Sequence, residues 1–345
     1  MVSIIGAGPA GTYSGYNLAK QYDVKIYEED KKIGEPVQCT GIITNNLPKD
    51  IYCEDYVLNK IPEAEIIAPN GKSIFIKLRN KNLVLDRVRF DNFFADKARE
   101  RGAKIILNKK LLRLRGNELI FKDLRIKDDF IIGADGPYSR VARDSGLFNK
   151  RKFIAAKQAR LKGNFNEDLV KFYLGIGSFS WVVPENKKIA RIGVASNKDL
   201  NIEFKKLLIL ENGKVLDNQG GIIPFYDPLI KISKNNIFLV GDAATQVKAT
   251  TFGGIIPGLI AAKEFSKGFK NYEFRVNQKL KKELMLNLVM RKKLDRFNDK
   301  KYNELVELFS QEKLRTIIGD YDRDFPSKFV LKLLVREPRL FKFVP

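Results

Sequence analysis

The chain contains no histidine, and only two cysteines, three methionines and one tryptophan among 345 residues. Without histidine there is no imidazole for general acid–base chemistry, and the commonest metal ligand is missing. A metal site is therefore not expected. Cys39 and Cys53 are too few for a disulfide framework, which points to a reducing compartment, the cytoplasm by default. The longest nearly apolar stretch, "FGGIIPGLIAA" (252–262), is broken by Gly and Pro and is too short to span a bilayer. The first candidate motif starts at Gly6, which leaves no room for a signal peptide before the first strand. Internal repeats and low-complexity linkers are also missing.

What the chain has in excess is positive charge: 63 Lys+Arg against 41 Asp+Glu, a net +22. Such a field favours an anionic partner, whether nucleic acid, a membrane surface or an acidic protein. The basic residues are spread evenly and no nucleic-acid module is visible, so nucleic acid is not the expected partner.

"VSII" (2–5) reads as a buried strand running into "GAGPAG", then a helix, then the strand "VKIYE" (24–28). Gly6, Gly8 and Gly11 have G-x-G-x-x-G spacing, and Glu28 lies 17 residues past the last of them. In such a turn the first glycine allows the tight bend, the second lets backbone approach a pyrophosphate, and the third permits close helix–strand packing. The helix N-terminus faces the phosphates, and the acid accepts from ribose hydroxyls. A bound dinucleotide is expected. "AEIIAPNGKSIFIKL" (64–78) reads as a hairpin turning at Asn70-Gly71, and 84–107 as a helix entered through Asp86, then a strand. "DDFIIGADGPYSRVAR" (128–143) is a strand, a turn and a helix start; 152 to about 232 favours strands; "IFLVGDAATQV" opens a third nucleotide-type signal at 237. Residues 271–345 read as helical and basic. The expected class is α/β (α+β). A Rossmann-like dinucleotide domain (1–60, 79–150, 233–270) is interrupted by a sheet domain (61–78, 151–232) and followed by a helical region (271–345).

"GAGPAG…YE", "GADGPYSRVAR" and "LVGDAATQV" together resemble the FAD flavoproteins that include aromatic hydroxylases and geranylgeranyl reductases. Within that class "GEPVQCTG" (34–41) is similar to the P-x-x-C-x-G segment of archaeal geranylgeranyl reductases, with Pro36, Cys39 and Gly41 in place. "FSWVVPENKKIARIG" (179–193) resembles their Y-x-W-x-F-P…G motif, although Phe179 stands for the usual Tyr and Val183 for the usual Phe.

The resemblance implies FAD, with Gly6, Gly8, Ala10, Gly11 and Glu28 at its adenosine and pyrophosphate end. It places Asp242 at the ribityl–phosphate end, Gly254 and Ile255 at the helix that faces the flavin ring, and Arg87 aimed at the cofactor. Leu112 and the segment Cys39-Thr40-Gly41 complete the cofactor contacts. A helix N-terminus at the ring favours the negative charge of its reduced form. Cys39 and Trp181 are the candidate catalytic residues, and Phe179, Trp181 and Val183 the candidate substrate contacts on one face of a strand. The implied activity is reduction of isolated C=C bonds in geranylgeranyl or related chains, with aromatic faces sheltering developing positive charge. No acid stands beside these aromatics, which leaves Cys39, a tyrosine or water as proton source. An NAD(P)H-dependent aromatic hydroxylase and a non-catalytic FAD or lipid binder remain alternatives. The implied partners are a prenylated lipid and an acidic electron donor such as ferredoxin. Peripheral contact with the inner face of the membrane is expected through the basic segment "KKELMLNLVMRKKLDR" (281–296).

Overall fold

The computed structural model describes residues 1–343. Two large sheets organise it. The first has six strands in the order Ser233–Lys234, Ile237–Leu239, Phe130–Gly133, Val2–Ile5, Val24–Tyr27, Lys104–Ile106, all parallel except the first. Its central strand, Val2–Ile5, is buried throughout, as expected for a parallel strand covered on both faces. Helices Pro9–Leu18, Arg87–Glu100 and Ile255–Lys263 pack together beside it. Asp86 caps the second of these, its carboxylate accepting the Arg89 N–H at 3.1 Å.

Close approach at the first turn requires glycine. Gly6 adopts φ +101°, and a Cβ there would lie 2.3 Å from the Ala134 carbonyl oxygen. A Cβ on Gly11 would lie 2.1 Å from the Gly6 carbonyl oxygen, so this position serves helix–strand packing.

The second sheet has eight strands in the order Lys214–Pro224, Phe153–Lys162, Ile189–Ser196, Phe179–Asn186, Leu169–Tyr173, Val57–Ile67, Ser73–Leu85, Ile42–Ile43. The expected hairpin is present but longer than 64–78: its strands are Val57–Ile67 and Ser73–Leu85, with Ile67 opposite Ser73 across the Asn70-Gly71 turn. Val84 and Leu85 therefore belong to a strand and not to the helix that follows. Two further departures stand out. Residues Leu200–Glu211 form a helix inside the region read as strands, capped by Asp199, and they bury Phe204 and Leu207 on the sheet. Arg113–Lys127 forms a separate three-stranded sheet. Its strands are three residues long, too short for a period to show.

The C-terminal part contains helices Tyr272–Leu294, Asp299–Phe309, Glu312–Asp320 and Val330–Arg336. It is tied to the large sheet where Gly319 rests on strand Ser73–Leu85, a Cβ there falling 2.1 Å from the Lys77 carbonyl oxygen. Among the described residues no helix is long and apolar enough to cross a membrane.

These contacts set an expectation for stability. Gly11→Ala should lower the free energy of unfolding by about 2 kcal/mol or more, because the obstacle is backbone. Gly71→Ala, at φ +83° in open space, should cost only about 1–2 kcal/mol. Urea unfolding of both variants checks the order; equal losses would contradict it.

Candidate functional site

One cleft of about 770 Å³ runs from the first turn to the middle of the large sheet. That volume lies in the upper part of the range for small-molecule and cofactor sites, about 300–1,000 Å³. Gly6, Gly8, Ala10 and Glu28 line one end. A Cβ on Gly8 would meet nothing within 4 Å, so backbone here borders open space, as a phosphate-binding turn requires. The Glu28 carboxylate accepts the Ala7 N–H at 2.6 Å and the Asp30 N–H at 3.0 Å, one on each oxygen. Each oxygen keeps a lone pair free for a further donor. Gly11 is not part of the cleft wall, and Leu112, half-exposed, lies at its rim.

Midway stand Asp242, Gly254 and Ile255. A side chain at Gly254 would place a Cβ 2.8 Å from the Asp242 carboxylate, so the glycine lets this acid lie against the start of helix Ile255–Lys263. Burial raises the Asp242 pKa to about 6, against the pull of Arg87 and Arg151. Arg151, whose Nη2 donates to the Ala243 carbonyl at 2.7 Å, is itself held down to about 10 by burial, opposed by Asp135, Asp227 and Asp242. Arg87 lines the cleft in a two-pronged pair with Asp91, at 3.0 and 2.9 Å. Burial disfavours its charge, but Asp91 and the neighbouring Cys39 outweigh that and raise its pKa. The mid-chain Asp135 accepts the Arg140 and Val141 N–H groups and the Ser139 hydroxyl, organising the turn along the same wall.

The segment Cys39-Thr40-Gly41 forms the opposite wall. The Gly41 N–H donates to Cys39 Sγ at 3.3 Å. Gly41 has φ +70°, and a Cβ there would press within 2.8 Å of an Arg191 nitrogen and 3.0 Å of the Leu85 carbonyl oxygen. Arg191 explains why. Its buried guanidinium pairs with Glu185 at 2.7 Å and donates to the Thr40 and Leu85 carbonyls at 2.5 and 3.0 Å. Glu185 is shared with Arg160. Burial works against its charge, yet the two guanidiniums keep its pKa below the usual glutamate range. Gln158 adds a second tie: its carbonyl oxygen accepts the Thr40 hydroxyl at 2.8 Å and the Trp181 indole N–H at 3.3 Å.

Beyond the loop the cleft becomes aromatic. Phe179 stacks on Phe172 at 5.3 Å, lies 5.8 Å from Trp181 and meets Phe252 edge-on at 6.4 Å, and all four rings line the cleft. Trp181 is opposite Gly193, where a Cβ would fall 2.3 Å from the indole; the glycine that ends the Trp motif is the slot the ring lies on. Val183 is fully buried in the sheet core and does not reach the cleft, which removes it from the expected substrate contacts. At the far wall Lys248 pairs with Asp324, which also accepts from Thr44 and Asn46. Burial opposes the charge of Asp324, yet Lys248 and Arg323 bring its pKa down to about 2. Arg323 lines the cleft as well, donating to Asn82 at 2.7 Å. Gln158, Arg191, Phe172, Phe252, Lys248 and Arg323 had no motif to announce them. The nearest sequence signals were the aromatic in "VKFYL" and the "KATTFGG" run after Asp242.

No family model matches the chain. The chain is 27% identical to the digeranylgeranylglycerophospholipid reductase of Methanocaldococcus jannaschii, over 99% of this chain and 96% of that one. It is also 27% identical to digeranylgeranylglycerophospholipid reductase 2 of Methanopyrus kandleri, over 99% and 98%. Among solved structures, a geranylgeranyl bacteriochlorophyll reductase-like protein from Thermoplasma acidophilum superposes with a TM-score of 0.86 at 21% identity, covering 99% and 98% of the two chains. A flavin-dependent brominase superposes with 0.71 at 16% identity, covering 98% and 99%.

Two outcomes are expected from this geometry. Replacing Arg191 by Met removes one partner of a buried pair and two carbonyl ligands, at a cost of about 3 kcal/mol in unfolding free energy. In a Cys53→Ser background it should also speed alkylation of Cys39 about tenfold or more as the loop opens; an unchanged alkylation rate would show that Arg191 does not hold the loop. The second outcome concerns pH. Folded Asp242 binds its proton up to about pH 6, above the ordinary carboxylate range, so between about pH 4 and 6 this one group is more protonated in the folded than in the unfolded chain. Its contribution to apoprotein stability must fall as pH rises through that window, by roughly 1–3 kcal/mol. Melting temperatures of wild type and Asp242→Asn across pH 4–7 should converge toward low pH. Parallel curves would refute the shift.

The similarity to archaeal digeranylgeranylglycerophospholipid reductases thus extends along the whole chain, and the fold is that of the flavin-dependent oxidoreductases.

Proposed function

We propose that the chain is an FAD-dependent reductase of isolated C=C bonds in the geranylgeranyl chains of archaeal-type ether lipid precursors. The observation that carries this reading is the continuity of the cleft: a dinucleotide cradle at Gly6–Ala10 opens into an aromatic chamber with no break. Gly8, Glu28 and Asp242 would hold the dinucleotide, and the N-terminus of helix Ile255–Lys263 would face its flavin ring. Reduced flavin, when bound, supplies a hydride.

This chain's residues supply the rest. Phe172, Phe179, Trp181 and Phe252 exclude water and present ring faces to a prenyl chain, sheltering positive charge on the more substituted carbon by about 0.5–2 kcal/mol per ring. Gln158 fixes the indole by its N–H. Cys39 accepts the Gly41 N–H through sulfur, which leaves its own S–H free to donate a proton. Arg87 stands beside it and keeps its charge. The lipid substrate is drawn from a membrane, and an acidic carrier such as ferredoxin is the proposed electron donor, favoured by the net charge of +22.

The test has two parts. Purified protein should release FAD, identified by mass against FMN, and Asp242→Ala should lose most of it. Dithionite-reduced protein, incubated without oxygen with digeranylgeranyl lipids, should give products heavier by H2 for each bond saturated. Cys39→Ser should keep its FAD and turn over about tenfold or more slowly. Products of unchanged mass from every prenyl lipid tried, with NADPH-driven oxygen consumption instead, would replace this reading with a hydroxylase.

A further inference from the structure

The helix Val330–Arg336 and the 3-10 helix Pro338–Phe343 have two unlike sides. Inward, Phe329, Leu333, Leu340 and Phe343 pack with Leu308 and Leu314 into a small separate core. Outward, Leu331, Val335 and Phe341 are 68%, 73% and 62% exposed. Leu331 and Val335 are four residues apart and share one helix face. Folding has not covered them, although the same helix buries Leu333 and partly buries Val330 and Leu334.

Within 325–343 the exposed charges are all basic. Lys328, Lys332, Arg336, Arg339 and Lys342 are all exposed, and Lys328, Lys332 and Arg336 follow one another at intervals of four beside the apolar stripe. Between residues 325 and 343 the only carboxylate is Glu337, which is buried and taken up by Gln311 and Arg339. Lys342 also reaches Glu304, on the neighbouring helix.

We infer that this face docks on an anionic lipid bilayer. Hydrocarbon would take up Leu331, Val335 and Phe341, while lipid phosphates meet the flanking lysines and arginines. The segment expected to dock, 281–296, is built differently. It turns Leu284 and Leu288 inward and offers solvent Lys281, Lys282 and Lys292 with Met285 as its exposed apolar residue, which makes it a solvated face. The docking face is also well placed. Arg323 lines the cleft and Asp324 holds the cleft residue Lys248, and Leu331 follows Arg323 by only eight residues. Even fully extended chain would keep it within roughly 30 Å of the cleft wall. The inference deepens the proposed lipid reductase by naming where its substrate phase is met.

Co-sedimentation of the full chain with phosphatidylglycerol-containing vesicles and with pure phosphatidylcholine vesicles tests it. Binding should need the anionic lipid and fade at high salt. Leu331→Ser/Val335→Ser/Phe341→Ser, and separately Lys328→Gln/Lys332→Gln/Arg336→Gln, should each cut binding about tenfold or more, with circular dichroism unchanged. No binding by the unaltered chain at low salt, or binding that both triple variants retain, overturns the proposal. A concentration-dependent dimer that the apolar triple abolishes in the absence of lipid would make this face a contact between copies, and also overturns it. Turnover of detergent-solubilised prenyl substrate should be equal in wild type and both triples. Loss of docking therefore leaves the reductase reading standing, and loss of turnover in all three would count against that reading alone.

Discussion

The buried Arg191 guanidinium is the joint on which the site depends. It leaves strand Ile189–Ser196, pairs with Glu185 one strand over, and donates to carbonyls on two separate segments, Thr40 and Leu85. Such a charge is tolerable in the interior only when its hydrogen bonds are satisfied. Placing it there obliges the loop that carries Cys39 to present its carbonyl inward, and the need for glycine at position 41 follows from the room this takes. Gln158 repeats the logic with a neutral group, joining the same loop to Trp181. The loop on the dinucleotide side is thereby registered against the aromatic strand of the other sheet.

That registration turns two ordinary structural units into one site. A parallel sheet with a glycine turn can bind a dinucleotide by itself, and a mostly antiparallel sheet can carry an aromatic face by itself. A single ligand can use both only if they lie within contact distance of one another. The cleft achieves this by drawing its walls from the first turn, the Cys39 segment, the sheet and the short segment around Arg323. The last of these belongs to the C-terminal helical part, so that region closes the cavity as well as covering the sheet.

Much of this was legible in the residues. The glycine spacing with Glu28, the late Gly241-Asp242 pair and the Cys39 segment each brought residues to the cleft, because backbone turns of this kind are specified locally. Alternation along "FSWVV" correctly set Phe179, Trp181 and Val183 on one face. It could not show that the cleft stops before Val183, since depth in a core depends on what lies across the sheet. The helix Leu200–Glu211 was hidden for a related reason: its apolar residues are few and the stretch sits among strands, so its face is specified by the sheet it covers.

The sequence by itself determined where backbone must bend tightly or approach closely, since a glycine with positive φ or a capping aspartate acts within a few residues. It also determined the charge the chain carries. Only the tertiary structure decided which side chains meet across long separations: Arg191 with Thr40, Gln158 with Trp181, Lys248 with Asp324, and a basic apolar face at 328–342 left uncovered. Those pairings pit desolvation of a buried polar group against the partners that packing brings to it, and no local pattern of residues encodes that balance.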